Sequence, residues 1–350
     1  MSILSGSISS RRYLISNNAD SATNPSNAGA ALLRHAFPVS WEGAGVKTGW
    51  VEIDDLLGVA FDHSAWNVSP FYVFSMRLDT RQVPAPLLRA HLNKALDKWR
   101  LENGKRRVPR PVRNELRDTV TNELLPTVTP RSKMFDVLWD TRQNLVSFSG
   151  LSDAAAEHFV TLFQETFNCS LEPESDQAPA LAEANTRDFF LWLWYSVTHG
   201  ELETRGENGV DIRYAKRITL TDETGDEVTT VVGGADGAAE ARKAASAGKR
   251  PSNIRLTVAV GEVDNTFQLQ SQHLFISGLK MKLQESEEDK AETKQQADAD
   301  RAATIIDRAE MFIEVLDNVK DWVRLFSEQR DGSGWDQWLA QDCMPWLEGV

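Results

Sequence analysis

Apolar residues along the chain follow two periods, and the change from one to the other marks out its elements. Runs rich in aromatic and β-branched residues, the strand signal, occur at Ser7–Ile15, Trp50–Ile53 and Phe71–Leu78. Between the first two, Ser16–Ala28 is full of Asn, Ser and Ala and predicts a surface loop, while Leu32–Phe37 carries no assignable pattern. From Pro84–Pro86 the period becomes helical. Leu88, Leu92, Ala95, Leu96 and Trp99 form one stripe, and Asn103 and Gly104 supply its stop. A second stripe, Val112, Leu116, Val120 and Leu124, opens at Pro109–Pro111 and ends at Pro126. The two read as a helical hairpin too thin to hold a core of its own.

Beyond it, Lys133–Trp139 and Leu145–Phe148 flank a turn at Asp140–Asn144 and predict a β-hairpin. Ser152 or Asp153 caps a helix to Phe167, whose buried face carries Phe159, Phe163 and Phe167. Residues 171–184 read as a linker, and Thr186 as the cap of an apolar helix, RDFFLWLWYSV. Strands Asp211–Leu220 and Glu227–Val232 flank a turn at Glu223–Asp226, and a Gly/Ala stretch with Arg242 and Lys243 predicts a helix. Further strands are expected at Ile254–Val260, Thr266–Gln270 and His273–Leu283.

Residues 284–300, charged and without aromatics, read as a solvated linker or the exposed start of a helix. Ile305–Phe326 is amphipathic, with Ile306, Ala309, Ile313, Leu316, Val319, Val323 and Phe326 on one side. Trp335, Trp338 and Trp346 of the tail are expected to pack on the body. Strand runs and separate helices, rather than alternating βαβ units, predict an α+β fold. The layout is then a central α+β domain of residues 1–83 with 134–170, and a basic helical hairpin of 84–133. A second α+β domain spans 185–283, a charged linker 284–304, and a C-terminal helix and tail 305–350.

Composition changes this picture little, and charge changes it more. The chain is 41% hydrophobic and 25% charged, ordinary for a globular protein. No run approaches a membrane span, and the N-terminus does not read as a signal peptide. Two distant cysteines, Cys169 and Cys343, predict neither a disulfide framework nor a cysteine-rich metal site, which points to a reducing cytoplasm. A net charge of −13 argues against a surface basic all over. Yet Lys98, Arg100, Lys105, Arg106, Arg107, Arg110, Arg113 and Arg117 face only Glu102 and Glu115 in their window, a local +6. On a helix Arg110, Arg113 and Arg117 share one face, a stripe able to follow a phosphate backbone. Arg131 with Lys133, and Arg213, Lys216 and Arg217, form smaller basic groups. The residues alone leave DNA, RNA and an acidic protein partner open, beside a purely solvated helix face.

The segment RQVPAPLLRAHLNKALDKWRLENGKRR, followed by VRNELRDTVTNELLPTVTPRSKMFDVLWDTRQNLVSF, resembles the RdgC family of recombination-associated proteins. Leu124-Leu125-Pro126, Leu138-Trp139-Asp140 and the upstream Lys47-Thr48-Gly49-Trp50-Val51 stand at the family's positions, and FFLWLWYSVTHGE and DIRYAKRITL fit its second half. After Leu-Leu-Pro, where the family often carries phenylalanines, this chain has Thr127, Val128, Thr129 and Pro130. The resemblance implies an RdgC-like α+β, strand-rich body with a projecting basic hairpin, assembling as a ring-shaped homodimer. It implies binding of double-stranded DNA without sequence preference, in the nucleoid, and limitation of access by a RecA-type recombinase. By position, the implied DNA-binding residues are Arg77, Arg81, Lys105, Arg106, Arg107, Arg110, Arg113, Arg117, Arg131, Lys133, Arg213, Lys216 and Arg217.

The family also carries an exonuclease label, so carboxylates and motifs matter. Asp54-Asp55 and Asp62 are the best early acids, but adjacent strand residues point to opposite faces. Lys47-Thr48 lacks the glycine spacing of a phosphate-binding loop, and Ser277–Lys280 matches Ser-x-x-Lys with its partner motif in reversed order. No catalytic residue, cofactor or metal is expected. A metal-dependent exonuclease and a factor meeting an acidic protein partner stand as the alternatives.

Overall fold

Strand and helix signals assemble into one antiparallel sheet with helices against it. The computed structural model describes the chain apart from residues 1–2, 4–5, 18, 39, 41–43, 175–182, 203–211, 223, 225–227, 233–234, 261–262, 272–273, 282–293, 333 and 350. The chain opens with β1 (Ile8–Ile15), α1 (Ala19–Ala22), α2 (Pro25–Arg34), β2 (Gly45–Val51), α3 (His63–Trp66), β3 (Asn67–Val68) and β4 (Phe71–Arg81). The hairpin α4 (Ala85–Asn103) and α5 (Arg110–Leu124) follows, then β5 (Arg131–Asp140), β6 (Leu145–Phe148), α6 (Asp153–Phe167) and β7 (Leu171–Pro173). The second half runs α7 (Glu183–His199), β8 (Ile212–Thr221), β9 (Val228–Val232), α8 (Ala235–Ser246), β10 (Arg250–Val260), β11 (Val263–Gln270) and β12 (Ile276–Met281). It ends on α9 (Lys294–Asp331), α10 (Trp335–Trp338) and α11 (Met344–Glu348).

Strand order is β2-β4-β5-β6-β1-β12-β11-β10-β8-β9, with β3 on β4 and β7 on β1. The α+β expectation therefore holds, with the sheet larger than the strand runs alone imply. β1 is the seam. Its Arg11–Leu14 stretch pairs with β6, while Ile8 and Ser10 pair with Leu279 and Ile276 of β12.

Burial explains the sequence patterns. β10 alternates, sending Ile254, Leu256 and Val258 inward and leaving Arg255 and Thr257 partly exposed. β4 does not alternate, because both its faces are covered. Phe71 and Val73 join one core, and Tyr72, Phe74 and Met76 another around Trp50, Phe159 and Phe163. α6 is capped by Ser152, whose Oγ accepts the Ala155 amide at 3.4 Å, and buries the expected Phe159, Phe163 and Phe167. In the same core the Trp50 indole donates to Thr166 Oγ1 at 2.8 Å. Gly49 allows the chain to cross β2 here, since a Cβ would stand 2.5 Å from Phe37 Cα.

Several expectations need correction. Ser16–Ala28 is not one loop: α1 and the start of α2 occupy it, with Asn24 Oδ1 accepting the Ser26 and Asn27 amides at 3.1 and 3.4 Å. Asn followed by Pro is an N-cap and first helical position, and the small apolar face of Ala28 and Ala31 conceals the stripe. Leu171–Pro173, read as linker, adds a short strand to β1. Thr186 lies inside α7 rather than before it. α9 is longer than Ile305–Phe326 at both ends, so from Lys294 the charged segment is helix. The turn at Glu223–Asp226 and the stretch before Lys294 fall largely or wholly outside the described residues.

The tail tryptophans pack as expected: Trp335 and Trp338 are buried, and Trp346 lies against Trp194 and Tyr195. Among the described residues no helix is long and apolar enough to cross a membrane.

Candidate nucleic-acid interface

β4 runs out of the sheet into α4, and α5 returns to β5, so one pair of antiparallel strands carries the whole hairpin. The apolar stripes meet as the spacing predicts. Leu88, Leu92, Ala95 and Trp99 of α4 and Val112, Leu116 and Leu124 of α5 are half-buried, and Leu96 and Val120 are buried. α4 and α5 pack principally on each other. Gly104, in the left-handed region at φ 62°, ends α4, and Pro109 precedes α5.

The loop between them folds so that its arginines meet those of α5. Arg100, Arg106, Arg107, Arg110, Arg113 and Arg117, with Leu96, Val108, Pro109 and Asn114, line an open cleft of about 750 Å³. Its lining contains no carboxylate and no aromatic ring. Arg100 is paired with Asp97 at 2.6 Å. Among the described residues, the other five guanidinia make no ion pair within 4.0 Å, and all five are exposed. Lys105 is exposed beside the cleft without lining it.

α5 also begins against its own electrostatics. No acidic residue stands in its first turn, where Arg110 and Arg113 lie instead, and no side chain caps it. Cations at a helix N-terminus oppose the helix dipole, and like charges at i, i+3 and i, i+4 repel. Each such placement costs a few tenths of a kcal/mol, so local stability does not account for this pattern.

The other basic residues divide into two groups. Arg81, Arg131 and Lys133 gather where the hairpin leaves the sheet, on paired ends of β4 and β5. Arg77 lies nearby, but its guanidinium donates to Asp79 and to the Leu56 carbonyl and lies 4.0 Å over the Phe37 ring. Arg213, Lys216 and Arg217 stand on β8 in the other half of the sheet, with Arg213 bonded to Asp264 at 2.6 Å. Of the residues implied as DNA-binding by position, the structure thus unites Arg106, Arg107, Arg110, Arg113 and Arg117 in one cleft and leaves the others outside it. It adds Arg100 and Asn114 to the lining. Arg100 belongs to the basic cluster read from the sequence but not to the residues the resemblance implies; Asn114 carried no charge signal.

Acidic residues do not gather in the same way. Among the described residues no group of three or more His, Cys, Asp or Glu is arranged to hold a metal ion. Asp79, near the root of the hairpin, and Asp136, opposite Ser75 in the middle of β4, are buried, and each is committed to protein partners. Burial pushes the Asp79 carboxyl up. Hydrogen bonds from Arg77 and Ser132, with the charges of Arg77 and Arg81, outweigh it and leave Asp79 below the usual carboxylate range. At Asp136 burial prevails over hydrogen bonds from the Ile3 amide and Ser75, and its carboxyl is raised.

A family described as "Putative exonuclease, RdgC" matches residues 13–319, a span that runs from the last residues of the seam strand through the hairpin and the rest of the sheet into α9. No curated protein matches the chain. With most of its length under that match, the chain belongs to the RdgC family.

Proposed function

We propose that this protein binds double-stranded DNA without sequence preference through the hairpin cleft, working as a ring-shaped homodimer. By occupying DNA it limits the access of a RecA-type recombinase. The observation that carries the reading is the cleft of unpaired guanidinia on a chain of net charge −13. Positive charge is concentrated in the cleft against an acidic whole. Guanidinium forks donate two hydrogen bonds to phosphate oxygens, and such contacts position a duplex without reading its sequence. In this proposal the guanidinia are spent on phosphates, which carry no sequence information, rather than on base edges. Arg81, Arg131 and Lys133 at the hairpin root extend the basic surface, and Arg213, Lys216 and Arg217 are a second contact region in this proposal.

The test is duplex binding at graded salt. Log affinity should fall with log salt at a slope of about −0.9 per phosphate neutralised, equally for unrelated sequences. A salt-independent affinity, or none, ends the proposal. The dimer is tested by mass in solution across micromolar concentrations. The family's description favours a second reading, a metal-dependent exonuclease. It requires Mg²⁺-dependent loss of a labelled DNA end that disappears on replacing a carboxylate while binding survives.

A further inference from the structure

The cleft and the helix that opens beside it carry a narrower conclusion about what it holds. Five unpaired guanidinia converge at one elbow, from Arg106 and Arg107 on the loop to Arg110, Arg113 and Arg117 on α5. Along an extended stripe, charges would meet phosphates one by one. At an elbow they meet several oxygens of one compact anion. The backbone contributes independently: α5 is 15 residues long, and its N-terminus, uncapped by any side chain, opens at Pro109 and Arg110 on the rim of the same cleft. Pro111 carries no N–H, so the amides of Arg110 and Val112, with the dipole behind them, are what this end offers an anion. Both costs noted above, cations against the dipole and cations against one another, are relieved by the same ligand. Among the described residues, no aromatic ring lines the cleft to stack on a base.

We infer that the elbow between α4 and α5 is a discrete site for a compact polyphosphate anion, able to close on clustered phosphates in the absence of any nucleobase. This deepens the DNA-binding proposal and rests on it for the natural occupant, the DNA backbone. A free polyphosphate carries the same chemistry and competes for the same groups.

The probe is sodium tripolyphosphate, titrated calorimetrically into the full-length protein at constant ionic strength, with a duplex oligonucleotide titrated in parallel. One tripolyphosphate per chain is expected, with a raised thermal midpoint and displacement of bound duplex. The double substitution Arg106→Gln/Arg110→Gln should weaken tripolyphosphate about tenfold or more, since each arginine loses a charge-assisted bond. Arg89→Gln, on α4 outside the cleft, should not. If duplex binds through these arginines while tripolyphosphate neither binds nor competes, the compact site is refuted and the DNA reading stands. If tripolyphosphate binds and duplex does not, the site stands and the DNA reading falls. Binding at many equivalent positions, unaffected by the double substitution, also overturns the inference. Should that variant fail to fold by circular dichroism, competition between the two ligands on the unaltered protein decides the matter alone.

Discussion

Arg77 and Asp79, two residues apart on one face of β4, are clasped by a forked pair of hydrogen bonds, Nε to Oδ1 at 2.9 Å and Nη2 to Oδ2 at 2.7 Å. The carboxylate is almost wholly buried and the guanidinium nearly so. Removing the cation leaves the buried carboxylate with only the Ser132 hydrogen bond and the charge of Arg81, a loss bounded by the ~3–5 kcal/mol that breaking a buried ion pair costs. Arg77→Ala should therefore lower the urea midpoint sharply. Arg110→Ala, at an exposed position, should move stability by no more than about 0.5 kcal/mol. Any loss of DNA binding in the Arg77 variant must be read against its stability.

The same clasp sets a pH dependence. Asp79 sits below its ordinary value when folded, so the folded state holds that proton more weakly than the unfolded chain. Its stabilising contribution is complete above the unfolded value, about 3.9, and disappears as pH falls through the lower folded value. Asp136 has the opposite sign. Its raised carboxyl disfavours the charged form, so its stability contribution declines as pH rises from about 3.9 to the folded value. Asp79→Asn should flatten the acid limb of a stability–pH curve measured by denaturant titration. Asp136→Asn should remove the decline on the upper side. A variant pair with identical curves would contradict this assignment.

Replacing Arg110, Arg113 and Arg117 together with Ala should weaken duplex binding equally for unrelated sequences and make the salt slope shallower by about 0.9 per lost phosphate contact. Folding should be undisturbed, and α5 slightly strengthened, because repelling charges and an unfavourable dipole interaction are removed. Binding measured by fluorescence anisotropy, beside a thermal melt, checks both parts. Unchanged affinity in the folded triple variant counts against the cleft.

Inside the aromatic core, Thr166→Val keeps the shape but leaves the Trp50 indole N–H without its acceptor. A buried unsatisfied donor costs about 1–3 kcal/mol, and the variant should lose that amount in chemical denaturation. Thr166→Ser, which retains an oxygen, should lose less.

The N-terminal segment is tied down from two sides. Arg308 of α9, itself buried, donates through Nε to the Ile3 carbonyl and through Nη2 to that of Gly6 at 2.8 Å. The Ile3 amide donates to Asp136 at 2.8 Å. Arg308→Met should speed hydrogen exchange at the Ile3 amide while α9 amides distant from it stay protected. Equal exchange in both proteins would show that the arginine does not hold this segment.

Local punctuation made part of this molecule legible. Pro109 and Gly104 bracket the hairpin turn, and its stripes repeat at three and four residues, so both helices follow from spacing alone. α2 hid because Ala28 and Ala31 bury a face without looking hydrophobic. The cleft was legible only as a charge excess, since its form depends on where Arg106 and Arg107 fold relative to α5. Arg77 shows the boundary most clearly: its charge is visible in the sequence, but Asp79, Leu56 and Phe37 become its partners only through the pleat of β4 and the packing of loops.

The seam strand has a consequence for how the chain matures. β1 is made well before one of its neighbours, β12, which lies more than two hundred and sixty residues downstream, Leu279 pairing with Ile8. The β6 side can zip up once residue 148 is made, and on the other side β7 can cover Tyr13–Ile15 once residue 173 is made; the Ile8–Ser10 stretch stays an open edge until β12 follows. Such an edge invites pairing with foreign strands, so the nascent chain is most vulnerable to aggregation during that interval.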